Sequence, residues 1–492
     1  MSHYPTHIYQ VAEIRELEKF ARDRFGVSSS TLMQRAGKAA YDYLKQQWPH
    51  AKSIVVLCGM GNNGGDGYVL ARLAHERHMQ VHVLQVGNVQ KLKNEALEAY
   101  AACKNAAVSM HHFNQRDPLP HADVIVDALC GTGFSGRLTS EAQSAILAMN
   151  EAGVPLLSMD IPSGVDADTG SVPGVAVQAT ATITYIGLKL GLLTGRGLSQ
   201  VGQLVCEDLQ LPAELYPAVS PVAEKCHREQ YASFLKPRPR DWHKGNAGHV
   251  LVVGGEQGYI GAPRMAAEAA LRVGAGLVTV ATHPKHAPFL NLGRPEIMCH
   301  GVVSSAALKK LLNKATVVVV GPGLGQSLWS KKMLKTVLQS AHPLVVDADA
   351  LNLLAAQPLM RKNWILTPHP GEAARLLQQS SDVIQQNRLT ALQSIQRKYN
   401  GIVVLKGAGT LILAPDTLPA LCGSGNPGMA TAGMGDVLSG ILGGLVAQGI
   451  PLADAAPLGV SLHAEAGDLA AQAGERGMVA LDLMPYLRVL IN

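Results

Sequence analysis

Two glycine-rich regions hold the residue types that phosphate handling and proton transfer require. In the C-terminal half, residues 426–440 read NPGMATAGMGDVLSG and open a helical stretch. Gly433, Met434, Gly435 and Asp436 there present successive backbone N–H groups at the positive end of a helix, which suits a phosphoryl group gaining charge. Asp436 stands at the edge of that pocket, placed to take a proton from a hydroxyl. A plain N-cap would also put an Asp at a helix start, but a cap does not require three nearby glycines.

Further elements gather on the same side. Lys406-Gly407-Ala408-Gly409-Thr410 follows an apolar run and offers a charge and backbone amides to a nucleotide. Residues 321–325 (GPGLG) and 367–372 (TPHPGE) also close strand-like runs. His369, taken alone, reads more simply as a structural histidine than as a catalyst. No GxxxxGK[ST] occurs, so this is not a P-loop enzyme.

In the N-terminal half, residues 53–74 read strand, loop, helix, with five glycines in the nine residues from Gly59 to Gly67. Gly59, Gly61 and Gly64 formally fit the dinucleotide fingerprint GxGxxG. The companion acid is missing, because the next strand ends Val86-Gly87-Asn88. That disfavours an NAD-dependent oxidoreductase. Asp127 closes a second strand before GTGFSGR (131–137), Asp160 closes a third before Ile161-Pro162-Ser163-Gly164, and Lys189 follows a fourth. In a parallel sheet these strand ends lie on one edge, so Asn63, Asp127, Asp160, Ser163 and Lys189 are expected to share one crevice.

The elements that must position these residues alternate. Val11, Ile14, Leu17, Ala21 and Phe25 recur at helical spacing before Gly26, and a second helix follows around 31–47. Strand-like runs come at 53–58, 81–86, 123–128, 154–159 and 179–186, interleaved with helical patterns. From 207 to 246 prolines recur without periodicity, which marks the interdomain connection. A second series then runs through 249–253, 277–281, 316–320, 344–347, 364–367 and 402–406, ending in helical sequence from about 436 to 473. The pattern predicts two α/β domains with mostly parallel sheets.

Composition agrees. At 492 residues, with 47% hydrophobic and 16% charged residues, the chain is too long for one core and too apolar for disorder. The net charge of +5 is dispersed and aromatics are 4%, so nucleic acid is not an expected partner. The seven cysteines form no CxxC pair and read as reduced thiols of a cytoplasmic protein. Uncharged stretches are broken by Gly, Pro and polar residues, so no membrane span is expected. The histidine pairs 75/78 and 283/286 lack partners at zinc spacing.

With these motifs placed, the chain resembles the bifunctional bacterial NAD(P)H-hydrate repair enzymes over essentially its full length. The first half resembles the NAD(P)HX epimerase domain through GNNGGDG (61–67), DALCGTGFSG (127–136) and DIPSGVD (160–166). The second resembles the ADP-dependent (S)-NAD(P)HX dehydratase through KGNAGHVLVVGG (244–255) and the four C-terminal motifs given above. The resemblance implies a Rossmann-like three-layer α/β/α domain over 1–222 and a ribokinase-like α/β domain over 223–492.

It also implies roles. Asn62, Asn63, Gly64, Gly65, Asp66, Gly131, Thr132, Gly133, Phe134, Ser135, Gly136, Arg137 and Asp160 would hold the hydrated dinucleotide. Asn63, Asp127 and Ser163 would bind potassium, a cation that favours hard oxygen ligands. Asp160 and Lys189 would be the acid–base groups. Ala262, Gly325, His369 and Asp436 would contact the dehydratase substrate, and Lys406, Gly407, Ala408, Gly409, Thr410 and Gly435 the adenine nucleotide. ADP would be the phosphoryl donor, with Mg2+ as its candidate companion, and NADHX and NADPHX the substrates of a homo-oligomer. Residue patterns alone leave open a ribokinase-like vitamin or sugar kinase, and an N-terminal domain that only binds.

Overall fold

A computed structural model describes residues 6–134 and 136–492. The chain divides into two compact units, one ending at Glu224 and the other beginning at Lys225.

The first unit opens with β1 (His7–Tyr9), α1 (Val11–Phe25), α2 (Ser29–Gln47), β2 (Ser53–Cys58), α3 (Asn62–Glu76) and β3 (Gln80–Gln85). Next come α4 (Asn94–Asn105), β4 (Ser109–His112), β5 (Val124–Ala128), α5 (Ser140–Glu151) and β6 (Leu156–Met159). It closes with β7 (Ala181–Tyr185), β8 (Leu188–Lys189), β9 (Gln203–Glu207) and, at the boundary, β10 (Ala223–Lys225). Ile14, Leu17 and Ala21 bury one face of α1, and Gly26 ends it at φ +68°, a left-handed position that suits glycine.

Seven strands form a sheet in the order β4-β3-β2-β5-β6-β7-β9, every neighbouring pair parallel. Its central strands are buried throughout, as β-branched runs covered on both faces should be. The chain leaves β2 toward one edge and returns at β5 toward the other. The crevice between the ends of β2 and β5 is therefore the switch point at which such sheets bind ligands. A separate ribbon fixes β8: β1 runs parallel to it, pairing Tyr9 with Lys189, and antiparallel to β10.

The second unit contains β11 (His249–Val253), α6 (Gly261–Arg272), β12 (Leu277–Thr282), β13 (Met298–Gly301), α7 (Ser305–Leu312), β14 (Val317–Val320) and α8 (Leu328–Leu338). It continues through β15 (Leu344–Val346), α9 (Ala348–Ala356), β16 (Trp364–Leu366), α10 (Pro370–Leu377), α11 (Ser381–Gln386) and α12 (Arg388–Tyr399). The last elements are β17 (Ile402–Leu405), β18 (Thr410–Leu413), β19 (Ala420–Cys422), α13 (Met434–Ala447), α14 (Leu452–Ala471) and α15 (Leu483–Leu490). The sheet order β13-β12-β11-β14-β15-β16-β17-β18-β19 is parallel as far as β17 and antiparallel beyond it. Strands β4, β13, β18 and β19 were not expected from the pattern, and β4 (SMHH) and β13 (MCHG) carry no apolar run to mark them.

Helix α13 is apolar almost all round and buried. It packs against α6 at Gly440, where a Cβ would fall 2.0 Å from the Ala266 carbonyl oxygen. That close approach lodges the start of α13 at the C-terminal edge of the sheet. Among the described residues no helix is long and apolar enough to cross a membrane.

Two candidate active sites

The first site lies at the switch point of the N-terminal sheet. The loop after β2 is pressed against the loop after β5: a Cβ on Gly59 would lie 2.0 Å from the Leu129 carbonyl oxygen. Above this contact opens a cavity of about 860 Å³, lined among others by Glu18, Asn63, Asp66, Gly131, Asp160 and Lys189. Asn62, Thr132, Gly133, Phe134 and Arg137 also line it. Gly64 and Gly65 are buried in the first turn of α3, backed by Gly59 and Met33, and serve the loop's packing. Gly136 stands outside the lining at φ +85°. Ser135 falls outside the described residues.

Asp160 takes φ +63° immediately after β6, a strained conformation for a non-glycine residue. Its amide bonds to Ile183 O at 2.7 Å, which holds the strain in place. The carboxylate accepts Lys189 Nζ at 2.8 Å on Oδ1 and Thr132 N at 3.1 Å on Oδ2. Lys189 is 1% exposed and also donates to Thr184 Oγ1 at 2.9 Å and Tyr185 O at 2.6 Å. All three ammonium hydrogens are thus directed. Such a buried ion pair persists only because its remaining polar contacts are satisfied.

Three neighbours of this pair carry unusual environments. Burial pushes the Asp66 carboxyl well above the usual range, with Asp160 and Glu18 adding and Lys189 opposing. Burial also raises Glu18, against the pull of Lys189. Among the described residues the buried Tyr185 hydroxyl has no hydrogen-bond partner, and burial with the charges of Asp66 and Asp160 raises it.

Asp127 and Ser163 are fully buried and do not line the cavity. Asp127 accepts Ser163 Oγ at 2.6 Å, Ser163 N at 2.9 Å, Ser158 Oγ at 2.9 Å and Leu129 N at 3.2 Å. Ser163 Oγ accepts Cys130 N at 2.9 Å, and Asn63 Nδ2 donates to Cys130 O at 2.9 Å. The Oδ1 of Asn63 is buried with no partner among the described residues. These residues form one hydrogen-bonded chain below the loop after β5.

The second site sits at the C-terminal ends of β15, β16 and β17. Asp347, directly after β15, is 1% exposed and accepts Lys406 Nζ at 2.7 Å and Ser439 Oγ at 2.7 Å. Lys406 is therefore paired, where the sequence suggested a charge available to a nucleotide. Burial would raise Asp347, but the Lys406 charge and the bonds from Lys406, Ser439 and Thr367 hold it below the usual range. A Cβ on Gly435 would lie 3.1 Å from Lys406 Nζ, so the first turn of α13 backs onto the pair.

Asp436, in that turn, is pushed up to about 7 by burial and by Asp347, against the pull of Lys406. Glu372 is pushed up to about 7 by burial, with Lys406 opposing and Asp347 adding. His369 caps α10. Its Nδ1 accepts Gly371 N at 3.0 Å, and Nε2 lies 3.4 Å from Glu372 Oε1. A neutral ring consequently carries its hydrogen on Nε2 and cannot act as a base there. Burial and the Lys406 charge lower its basicity, which favours that neutral form.

The loop 406–410 is held from behind by Arg388, 1% exposed, which donates to Leu405 O, Lys406 O and Gly409 O at 3.2–3.4 Å. Thr410 Oγ1 donates to Gly407 O at 3.0 Å. Gly325 donates its amide to Asp349 Oδ2 at 2.8 Å, and the neighbouring Gly323 packs on Ala262. Sequence reasoning missed Glu18, Tyr185, Asp347, Arg388 and Ser439. The position of Asp347 at a strand end was a usable signal. Glu18 stands on a helix with no glycine loop, so nothing local marked it.

Residues 29–191 match the family model for the YjeF-related protein N-terminus, and residues 250–488 that for NAD(P)H-hydrate dehydratase. Over 488 residues the chain is 50% identical to the bifunctional NAD(P)H-hydrate repair enzyme of Coxiella burnetii, covering 99% of this chain and all of that protein. The chain belongs to the bifunctional NAD(P)H-hydrate repair enzyme family. The repair enzyme of Escherichia coli is 44% identical over 490 residues, which cover 99% of this chain and 94% of that one. Among solved structures, the ADP/ATP-dependent NAD(P)H-hydrate dehydratase of Bacillus subtilis, co-crystallised with ATP/Mg2+, is 26% identical with a TM-score of 0.50. That likeness covers 55% of this chain and 97% of the other, and the second unit is ribokinase-like. The N-terminal model of the repair-enzyme family spans Asn63, Asp66, Asp160 and Lys189 but begins after Glu18.

Proposed function

We propose that the chain restores hydrated NADH and NADPH: the first unit interconverts the two epimers of NAD(P)HX, and the second dehydrates the S form with ADP, giving NAD(P)H, AMP and phosphate. One observation carries the reading. A carboxyl held near 7, Asp436, sits in the first turn of α13 beside Gly435 and the Lys406–Asp347 pair.

The ring hydroxyl is a poor leaving group. Asp436 takes its proton, and the oxygen attacks the terminal phosphorus of ADP while AMP departs. The amides of Met434, Gly435 and Asp436 face the charge that develops on the phosphoryl oxygens, and the helix dipole adds to their effect. The ring nitrogen then expels the phosphate, and loss of the neighbouring ring proton restores the double bond. Lys406–Thr410 and Gly435 would hold the adenine nucleotide, and Ala262, Gly325 and His369 the dinucleotide. Mg2+ would arrive on the nucleotide's own phosphate oxygens.

Potassium would fit the first site through Asn63 Oδ1, a buried oxygen with no hydrogen-bond partner among the described residues. Asn63 would hold the ion directly, with Asp127 and Ser163, linked to it through Cys130, supplying charge and a hydroxyl oxygen. Bound there, the ion would supply a fixed positive charge toward the dinucleotide. Asp160 and Lys189 would hold and move the proton.

The test is incubation with both epimers of hydrated NADH and with ADP. Return of reduced-nicotinamide absorbance, with AMP and phosphate in equal amounts, is the expected result. A stable phosphorylated product with no return of absorbance would assign the second unit to small-molecule kinases instead.

A further inference from the structure

Epimerisation by loss and return of water asks for protons at two places. The hydroxyl leaves with its bonding electrons as water once a proton is donated to it, and the ring nitrogen's lone pair forms the C=N bond. Water then adds from the opposite side, and its surplus proton goes to a base. No electron is gained or lost overall. A single carboxyl cannot serve both sides of a flat ring.

The Asp160–Lys189 pair supplies one side. Its carboxylate is tied to the ammonium at 2.8 Å and to the Thr132 amide at 3.1 Å, charge-assisted contacts that fix its place in the cavity wall. The cavity needs a donor that comes from another wall. On α1, Ile14, Arg15 and Glu18 line the cavity, and their spacing places them on one helix face. Helix α1 starts two residues after Tyr9, which pairs with Lys189 across the β1–β8 ribbon. The strand that registers Lys189 therefore also registers the helix carrying Glu18.

Charge arithmetic points the same way. Glu18, Asp66, Asp160 and Glu141 line this cavity with one buried cation, Lys189, while Arg15, Lys91 and Arg137 in its lining are exposed. Like charges so close repel: burial raises Asp66 and Glu18, Asp160 adds to both, and Lys189 opposes. Tyr185, 6% exposed and also in the lining, has a buried hydroxyl with no hydrogen-bond partner among the described residues.

We propose that Glu18 is a second acid–base group of the epimerase cavity, donating a proton to the departing hydroxyl while the Asp160–Lys189 pair receives one from the entering water. The assignment rests on reading this cavity as the epimerase. The groups that face Glu18 are Arg15 and Arg22 on its own helix, Lys189 after β7, Asp160 after β6, and Asp66 on α3. Burial raises Glu18, so its protonated form persists to higher pH than a free glutamate's. Epimerisation should fall as pH rises through that titration.

The experiment uses the full chain with ADP and the R epimer, and follows the return of reduced nicotinamide against pH. Glu18→Gln should slow R-epimer consumption by about a hundredfold and flatten the alkaline limb, a loss typical of a missing general acid. S-epimer dehydration should be unchanged. Wild-type rate and profile in Glu18→Gln would overturn the proposal. If that variant loses the unit's thermal transition, Glu18→Asp decides: a displaced alkaline limb upholds the role, and an unmoved limb overturns it. Asp160→Asn separates the two levels. If Asp160→Asn stops R-epimer consumption while Glu18→Gln does not, only the role of Glu18 falls. If neither variant matters, the epimerase reading of the cavity falls with it.

Discussion

Each unit surrounds one lysine, buried in the first and half-buried in the second, with three carboxyl groups. In the first, Lys189 has Asp160, Asp66 and Glu18 around it; in the second, Lys406 has Asp347, Glu372 and Asp436. In both, one carboxylate takes the direct ion pair, at 2.8 Å and 2.7 Å, and the other two are raised by burial. In the second unit this balance holds Glu372 and Asp436 near 7, and in the first it raises Glu18 and Asp66 above ordinary carboxyls, as separated acid and base roles require. The surroundings then divide the chemistry. Asp160, the paired acid of the first unit, lines a cavity, whereas Asp347 is sealed by Ser439 and braces the site. The reactive acid of the second unit is the unpaired Asp436, and it stands where a helix offers amides to phosphate. A lysine with three acids moves protons. The helix N-terminus adds phosphoryl transfer.

The largest effect expected from this contrast falls on Asp436. Asp436→Ala should lower dehydratase turnover by about 10²–10⁴, the range for a lost general base. R-to-S epimerisation should stay as it is, and the variant should still unfold in a cooperative transition. A near-normal rate with the S epimer would remove the distinction between the two sites.

Next in size are the lysines. Lys406→Met leaves the Asp347 carboxylate buried without its cation, and removing one partner of a buried pair costs about 3–5 kcal/mol. Lys189→Met should cost a similar amount in the first unit. Urea unfolding of each variant checks this. The double variant with Asp347→Asn should recover much of the loss, because no buried charge then remains. Equal instability of the single and double variants would show that Lys406 acts by packing.

Much of this arrangement was legible in the sequence. Apolar runs, mostly β-branched and followed by Gly, Asp or Lys, gave β2, β5, β14 and β17 nearly to the residue, and the Leu-rich run before Asp160 gave β6. The glycine loops placed Asn63, Asp160 and Asp436. What stayed hidden was partnership across sequence distance. Nothing around Asp347 announces Lys406, 59 residues away, or Ser439, 92 away. Glu18 reaches its cavity only through the register of β1 on β8, a ribbon of two and three residues. Arg388 looks like an ordinary surface helix residue until the fold buries it behind the loop 406–410.

A smaller, pH-dependent effect sharpens the contrast from the stability side. The Asp436 carboxyl titrates near 7 in the folded chain, against an ordinary value of 3.8. A raised acid favours the folded state below its unfolded pKa and loses that contribution as pH rises through the folded one. From pH 4 to 8 the second unit should therefore lose stability through Asp436 and Glu372. Asp436→Asn, inactive as a dehydratase, should be more stable than the parent at pH 8 by about 1–2 kcal/mol after allowance for solvent screening, and indistinguishable from it at pH 4. Urea midpoints at the two pH values report it. Equal differences at both would mean that the carboxyl is not held neutral by its surroundings.

The smallest expected effects come from adding one methyl group behind each ion pair. A Cβ on Gly131 would lie 2.9 Å from Asp160 Oδ2 and 3.2 Å from Asn63 Cβ. A Cβ on Gly435 would lie 3.1 Å from Lys406 Nζ and 3.6 Å from Asp347 Oδ2. The two intrusions look alike, but they press on atoms of different freedom. Asp160 is held by its strained backbone, Lys189 and Thr132, so its carboxylate has nowhere to move. The ammonium of Lys406 ends a four-carbon chain and can give by a few tenths of an ångström. Gly131→Ala should therefore lower epimerisation by about tenfold, the scale of a misplaced reacting group. Gly435→Ala should raise the KM for ADP by about threefold with little change in kcat, since uniform binding alone is disturbed. If the second substitution proved the more damaging, the Lys406–Asp347 pair would have to be as rigid as its N-terminal counterpart, and its role would move from brace to participant.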